Sequence, residues 1–346
     1  MFANKPLAIL FADVAAANFS VAGIPAAARA AYNAANEVEA GHSLAIAIPG
    51  GGAPSACCDA EMQRLLPGRR VDFCDADTLE EAEWLDGAAL QLPKAVAPVE
   101  RSQARPARVA DLRRQARAIV KATGKPGDGI VSRTINRPVS QAISRAVLRW
   151  PGMRPGHATL AAALIGAVMF ASLVLGGNGG LIAGALLFQL ASIVDGVDGE
   201  IARATFRTSK RGAMLDSLTD AATNLGFIGG VAINLFLSGE REAAVAGAAG
   251  CALLALGSAI LGMQARSAGD KFTFDALKHR MQERPSRLRQ VLIWITMRDF
   301  YALAACIGIL AGAAVAVIWC FAVVAAGWFA VLCWFLVTKP GARTSS

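Results

Sequence analysis

No CxxC pair in the sequence is matched by a second one, which removes the common zinc-site and disulfide-scaffold classes. The cysteines (Cys57, Cys58, Cys74, Cys251, Cys306, Cys320 and Cys333) are scattered. The last four fall in apolar runs, where thiols serve as small buried hydrophobes. The N-terminal MFANKPLAILFAD holds only a short apolar patch closed by Asp13 and does not read as a secretory signal. Histidine is scarce, and neither His42 nor His157 has a partner that would make it a ligand or a base. The first reads as structural and the second as interfacial. Acids are nearly missing from residues 101–155, where Arg101, Arg105, Arg108, Arg113, Arg114, Arg117, Lys121, Lys125, Arg133, Arg137, Arg145, Arg149 and Arg154 face only Asp111 and Asp128. No aromatic interleaving or nucleic-acid module accompanies this charge. Nucleic acid is therefore set aside as a partner in favour of an anionic membrane surface.

Apolar sequence is abundant and unevenly spread. Hydrophobic residues make up 55% of the 346, the formal net charge is +8, and nearly all long apolar runs lie in the second half. The length allows two domains. We divide the chain into a small α/β domain at 1–100, a basic connector at 101–155 and a membrane domain at 156–338. In the first, LAILFAD (7–13), SLAIAIPGGG (43–52) and VDFCDAD (71–77) are strand candidates, and IPAAARAAYNAANEVEAG (24–41) is an Ala-rich helix. Their alternation implies parallel strands with crossover helices. The Pro49-Gly50-Gly51-Gly52 turn reads as a plain loop, and Asp75 and Asp77 as solvated acids at a strand end. In the connector, SRTINRPVSQAISRAVLRW (132–150) sets Ile135, Val139, Ile143, Val147 and Leu148 near one face. That pattern suits an amphipathic helix lying in a membrane interface.

Six apolar stretches near the ~20 residues a bilayer needs follow, at 157–176, 180–203, 213–237, 243–264, 299–316 and 318–338. Length alone sets the break between the last two near Gly312 to Trp319. The expected fold is an all-α membrane bundle of six transmembrane helices, preceded by a small α/β cytoplasmic domain and an amphipathic juxtamembrane helix. The connector, the 203–212 loop and the 266–298 loop are basic, the last through Arg266, Lys271, Lys278, Arg280, Arg284, Arg287, Arg289 and Arg298. The turns at 176–180 and 238–242 carry little net positive charge. This asymmetry places both termini and the basic loops on the cytoplasmic side.

Carboxylates mark the chemistry. Asp195 and Asp198 are spaced i, i+3, and Asp216 and Asp220 i, i+4, so each pair lies on one face of a helix that runs into an apolar stretch. Acids at membrane depth are costly, and four that converge repel one another unless something positive lies between them. Hard divalent cations, Mg²⁺ above all, take carboxylate oxygens together with substrate phosphates. Gly199, Ala202 and Gly212 leave room for a ligand, and Arg203 is placed to meet a phosphate oxygen.

The run Asp195-x2-Asp198-Gly199-x2-Ala202-Arg203-x8-Gly212-x3-Asp216-x3-Asp220 resembles the signature of the CDP-alcohol phosphotransferase family at every defined position. The resemblance implies an integral membrane transferase, in the cytoplasmic (inner) membrane if bacterial, dependent on Mg²⁺ or Mn²⁺. Such an enzyme moves a phospho-alcohol group from a CDP-alcohol donor to an acceptor hydroxyl and releases CMP, with no covalent enzyme intermediate. It also implies a metal set of Asp195, Asp198, Asp216 and Asp220, with Asp220 accepting the acceptor's proton. The nucleotide would lie on Asp195, Gly199, Ala202, Arg203 and Gly212, with Arg203 on a phosphate or buttressing an aspartate. A homodimer among membrane lipids is the family's habit.

The acceptor is less defined. The SRxxNRxxS pattern and Arg298-Asp299 resemble features of inositol-type members, which makes Arg133, Arg137 and Arg298 acceptor-binding candidates. Headgroup contact and a helix-start ion pair are the equal alternatives. Pro155-Gly156-His157-Ala158-Thr159 resembles the family's entry to the first span, with Gly156 where an Asn is usual. The α/β domain is similar in outline to the nucleotidyltransferase domain that some members carry. It has FADVAAANFSVAG where a Gly-rich basic loop belongs, and reads as a degenerate, non-catalytic remnant that CMP release does not need. The domain and the SRxxNR helix favour an inositol-type acceptor, in inositol phospholipid or phosphodiester synthesis, over glycerol phosphate, serine or a lipid alcohol. A non-catalytic scaffold or a cation transporter is the alternative class, and the intact signature argues against both.

Overall fold

A computed structural model describes residues 5–37, 42–79, 81–92, 96–150, 152–267 and 297–337. Most of the basic 266–298 loop lies outside the described residues. The chain forms two compact units. One comprises Met1–Pro126, Gln141–Pro155 and Gly199–Thr208, the other Gly127–Ser140, Gly156–Asp198 and Ser209–Ser346.

The first unit runs β1 (Leu7–Leu10), α1 (Val14–Asn18), β2 (Ser20–Val21), β3 (Ile24–Pro25), α2 (Ala26–Glu37), β4 (Leu44–Ile48), α3 (Ala56–Leu65), β5 (Val71–Asp75), β6 (Glu83–Asp86) and α4 (Val109–Ala122). Its sheet is parallel in the order β5-β4-β1-β6, with Leu7 beside both Leu44 and Glu83. Every residue of β1 and β4 is buried, which is why both read as unbroken apolar runs. The strands are shorter than expected, for local reasons. Asp13 accepts a hydrogen bond from the Ala16 amide at 2.6 Å and turns the chain into α1. Past β4, Gly50 and Gly51 take φ of 75° and 74°, and the Asp75 carboxylate accepts from the Gly50 and Asp77 amides. The segment standing in place of a nucleotide loop is α1 followed by the β2–β3 hairpin, whose turn places Ala22 and Gly23 at φ 49° and 85°.

The second unit holds the apolar helices α6 (Pro155–Leu175), α7 (Gly177–Ala204, through Asp198), α8 (Lys210–Leu237), α9 (Arg241–Ser267), α10 (Arg298–Leu310) and α11 (Ala314–Val337). Five of these, α6 to α9 and α11, are long and apolar enough to cross a membrane among the described residues, where six spans were expected. The exception, α10, is 13 residues, or roughly 20 Å at 1.5 Å per residue. Its first residue touches aspartates of α7 and α8. The break before α11 falls at residues 311–313, with Gly312 at φ 80°, at the near edge of the expected interval. The core stacks Phe188 of α7 on Phe227 of α8, centroids 4.0 Å apart and planes within 5°. Tyr301 and Phe321 meet edge-on beside them. Outer faces carry exposed Leu160, Leu164, Val168, Val323 and Val331, suited to lipid.

The helix expected at 132–150 is α5 (Arg137–Val147), preceded by a widened turn at Ser132–Asn136 in which the Arg137 amide reaches the Ser132 carbonyl. Pro138 has no N–H to give the preceding turn, and such one-turn bulges accommodate the loss. The buried positions along this helix are Asn136, Ser140, Ser144 and Leu148, while Ile135 and Val139 are exposed. Its polar edge is the one packed on protein.

Candidate active site

Four carboxylates come together between α7 and α8. Ligand oxygens of Asp195, Asp216 and Asp220 lie within 4.8 Å of one another. Asp198, 8% exposed, accepts from the Thr159 hydroxyl at 3.0 Å, and Asp216 lies beside both Asp195 and Asp198. Oxygens about 2.1 Å from a common Mg²⁺ stand roughly 3–4 Å apart, so this donor set fits a small divalent cation. Arg298, at the start of α10, places its Nη1 3.2 Å from Asp195 Oδ1 and in contact with Asp220 Oδ1. Its Nε is buried with no hydrogen-bond partner among the described residues. A guanidinium thus bridges one acid from each signature helix.

The other acceptor candidates are placed differently. Arg137 is forked onto Asp128 at 2.7 and 3.0 Å, and Arg133 is exposed. Asp299 accepts the Ser132 amide at 2.6 Å and so caps the first turn of the 130–147 helix. That helix is pinned to α7 by Asn136, which donates to Ser192 Oγ at 3.3 Å and accepts from Gln189 at 3.0 Å. Gly212 lies one turn inside α8, where the Ser209 hydroxyl caps its amide at 3.0 Å.

The remaining signature residues sit on the last turns of α7. A Cβ at Gly199 would lie 3.0 Å from the Arg203 guanidinium, so the glycine lets Arg203 lie back along its own helix. Arg203 Nε donates to the Thr123 carbonyl at 2.7 Å. Ala202 is half-buried.

Within the first unit, the α/β domain also holds the end of α7, a contact that its sequence did not suggest. The carbonyls ending α7 have no partners within the helix. Arg29, 2% exposed in the Ala-rich α2, donates to the Ala204 carbonyl at 2.5 Å and to those of Val21 and Ala22 at 3.1 and 3.3 Å. Arg64 donates to the carbonyls of Thr205 at 2.9 Å and Phe206 at 3.3 Å. Phe206, at φ 52°, lies 5.0 Å beneath the Arg29 guanidinium and 4.7 Å from the Tyr32 ring. Arg207 pairs with Glu61, which also holds Arg64 at 2.7 Å. Inside α7, buried Glu200 accepts from Ser144 at 2.6 Å. Two cations from the α/β domain therefore cap the helix that carries Gly199, Ala202 and Arg203. A lone arginine inside an alanine run was the signal.

Fold and site define an integral membrane protein of several long apolar helices, built around a carboxylate cluster able to hold a divalent cation. The family model described as CDP-alcohol phosphatidyltransferase matches residues 153–338, and the chain belongs to that family. Three curated relatives share the name bifunctional IPC transferase and DIPP synthase. The one from Archaeoglobus fulgidus is 41% identical over 128 residues, covering 36% of this chain and 24% of the relative. Those from Aquifex aeolicus and Rubrobacter xylanophilus are 40% and 37% identical, over 109 and 140 residues. These cover 32% and 40% of this chain, and 24% and 30% of the relatives. The matched part is thus under a third of each relative's length.

Proposed function

We propose that the protein is a Mg²⁺-dependent transferase that moves a phospho-alcohol group from a CDP-alcohol to an acceptor hydroxyl and releases CMP. The observation that carries this is the convergence of Asp195, Asp198, Asp216 and Asp220 in a chain of this family. Mg²⁺ (or Mn²⁺) on these carboxylates would neutralise charge on the departing cytidylate. Asp195, Asp198 and Asp216 hold that position, and Thr159 orients Asp198. Gly199, Ala202, Arg203 and Gly212 take the nucleotide. Asp220 accepts the proton of the incoming hydroxyl, within the field of Arg298. Arg298, already aimed at the cluster, is the strongest acceptor contact. Arg137 is engaged with Asp128, and Arg133 would meet lipid headgroups. An inositol-type acceptor is the reading favoured by the relatives' names and by the SRxxNR pattern.

On this reading α10 is the remaining one of six crossings, the juxtamembrane helix turns Ile135 and Val139 to the bilayer, and the aspartates open to the cytoplasm. The working form is a homodimer in lipid. The test is CMP release by the purified protein with Mg²⁺ and a panel of CDP-alcohols, each offered inositol, inositol phosphate, glycerol phosphate and serine. No release with any pair would sink the assignment and favour a scaffold. Cation uptake into proteoliposomes without CMP release would favour a transporter.

A further inference from the structure

Four arginines that the sequence offers only as bulk charge line a single cleft in the first compact unit. Arg113 and Arg117 lie one turn apart on α4, and Arg145 and Arg149 lie at and just beyond the end of α5. The cleft is about 510 Å³, within the usual range for small-molecule sites. Its lining includes no carboxylate, and the one acid of α4, Asp111, is engaged with Arg114. Arg113 is held 5.9 Å over the Phe19 ring, and Arg145 spends its Nε on the Gln141 carbonyl at 3.2 Å. The guanidinium groups of Arg117 and Arg149 have no protein partner among the described residues.

An arrangement made only for a charged bilayer surface needs no concavity. Here the arginines rim a hollow whose floor is apolar, with Val120 and Leu148 buried, and whose edge carries Ser20. Guanidinium forks match phosphate oxygens two at a time, and like charges gathered without an acid are relieved by an anion.

We propose that this cleft binds a phosphate ester with an uncharged body, at a site separate from the aspartate cluster. The phosphate lies among Arg113, Arg117, Arg145 and Arg149, and the body on Val120 and Leu148. Its source is either a free organic phosphate or the headgroup of an anionic lipid. A ligand there ties the hairpin, α4 and the end of α5 together, so binding raises the unfolding temperature.

The test uses the full chain in neutral detergent with a chelator present, which keeps the aspartate cluster from binding phosphate through a metal. Glycerol 3-phosphate and pyrophosphate are titrated as soluble probes, and short-chain phosphatidic acid in neutral mixed micelles as the headgroup probe. Binding is read by calorimetry and thermal shift. The site predicts binding that weakens at least tenfold in R117Q/R149Q, recovers in part in R117K/R149K, and is unchanged in R105Q/R108Q, which removes the same charge outside the cleft. All exchanged side chains are exposed, so unfolding without ligand stays as in the parent. Loss confined to the soluble probes assigns a free phosphate, and loss confined to phosphatidic acid assigns a headgroup. Absence of binding to either, or equal weakening in R105Q/R108Q, overturns the proposal.

Discussion

Arg29→Ala is the sharpest probe of whether the α/β domain matters to the membrane site. The side chain is 2% exposed and serves three carbonyls, one of them Ala204 at the end of α7. Hydrogen bonds from a charged donor contribute about 1.5–3 kcal/mol each, not additively, and a buried carbonyl left unpaired costs about 1–3 kcal/mol. The Phe206 contact adds about 1 kcal/mol. A loss of about 3–5 kcal/mol follows, enough to lower the unfolding temperature by more than about 5 °C in a domain of this size. Arg29→Lys should recover only part of this, since an ammonium cannot fork across separate acceptors. Loosening the α7 terminus also frees the turns that carry Ala202 and Arg203, so CMP release falls in step. By the same reasoning, removing residues 1–90 takes both capping arginines and lowers turnover, contrary to the dispensability expected from sequence. Thermal unfolding and CMP release are measured on the same preparation. An Arg29→Ala protein within about 1 kcal/mol of the parent, with unchanged turnover, would refute the clamp.

Asp216→Asn should cut CMP release by more than about 100-fold with unfolding unchanged, beyond the 10–100-fold that outer-shell changes cost. Retained activity would end the metal role. Thr159→Val, which removes the hydrogen bond orienting Asp198, should fall within that 10–100-fold range and show as a raised Mg²⁺ requirement; a normal Mg²⁺ titration would show the contact to be incidental. Burial pushes the Cys58 thiol up to about 12, so it stays protonated and inert to maleimide at pH 8, while exposed Cys57 reacts. Equal labelling of the two, read by peptide mass, would contradict the packing of α3.

The aspartates were legible because spacing on a helix fixes their faces, and because acids inside apolar runs seldom have a structural use. The parallel strands were legible for the related reason that LAIL and LAIAI are apolar without interruption. β6 was not: EWLD puts charge at both ends, and only Trp84 and Leu85 are buried. That 137–147 is helical was legible, but which face of α5 is buried depends on Asn136 and Ser144 having partners on α7, which periodicity cannot supply. The clamp was hidden most completely. Arg29 and Arg64 lie 175 and 141 residues from the carbonyls they cap, and long-range complementarity leaves no local pattern.

Arg298 ties the electrostatics of the site together. Arg298 is a cation set directly against this cluster and contacts one acid from each helix. A divalent ion entering the same set meets that positive charge. At an effective dielectric of 20, unit charges 4 Å apart interact by about 4 kcal/mol, an upper bound for a partly solvated site. A divalent ion doubles this, and if about an eighth of the doubled figure survives solvent screening, the guanidinium weakens divalent binding by about 1 kcal/mol, or roughly fivefold. Arg298→Gln should therefore bind Mn²⁺ several-fold more tightly, read by electron paramagnetic resonance, even as CMP release falls through loss of the acceptor contact. The two effects point in opposite directions, which separates them from general damage. Weaker Mn²⁺ binding in Arg298→Gln would mean that the arginine organises the carboxylates for the metal rather than competing with it.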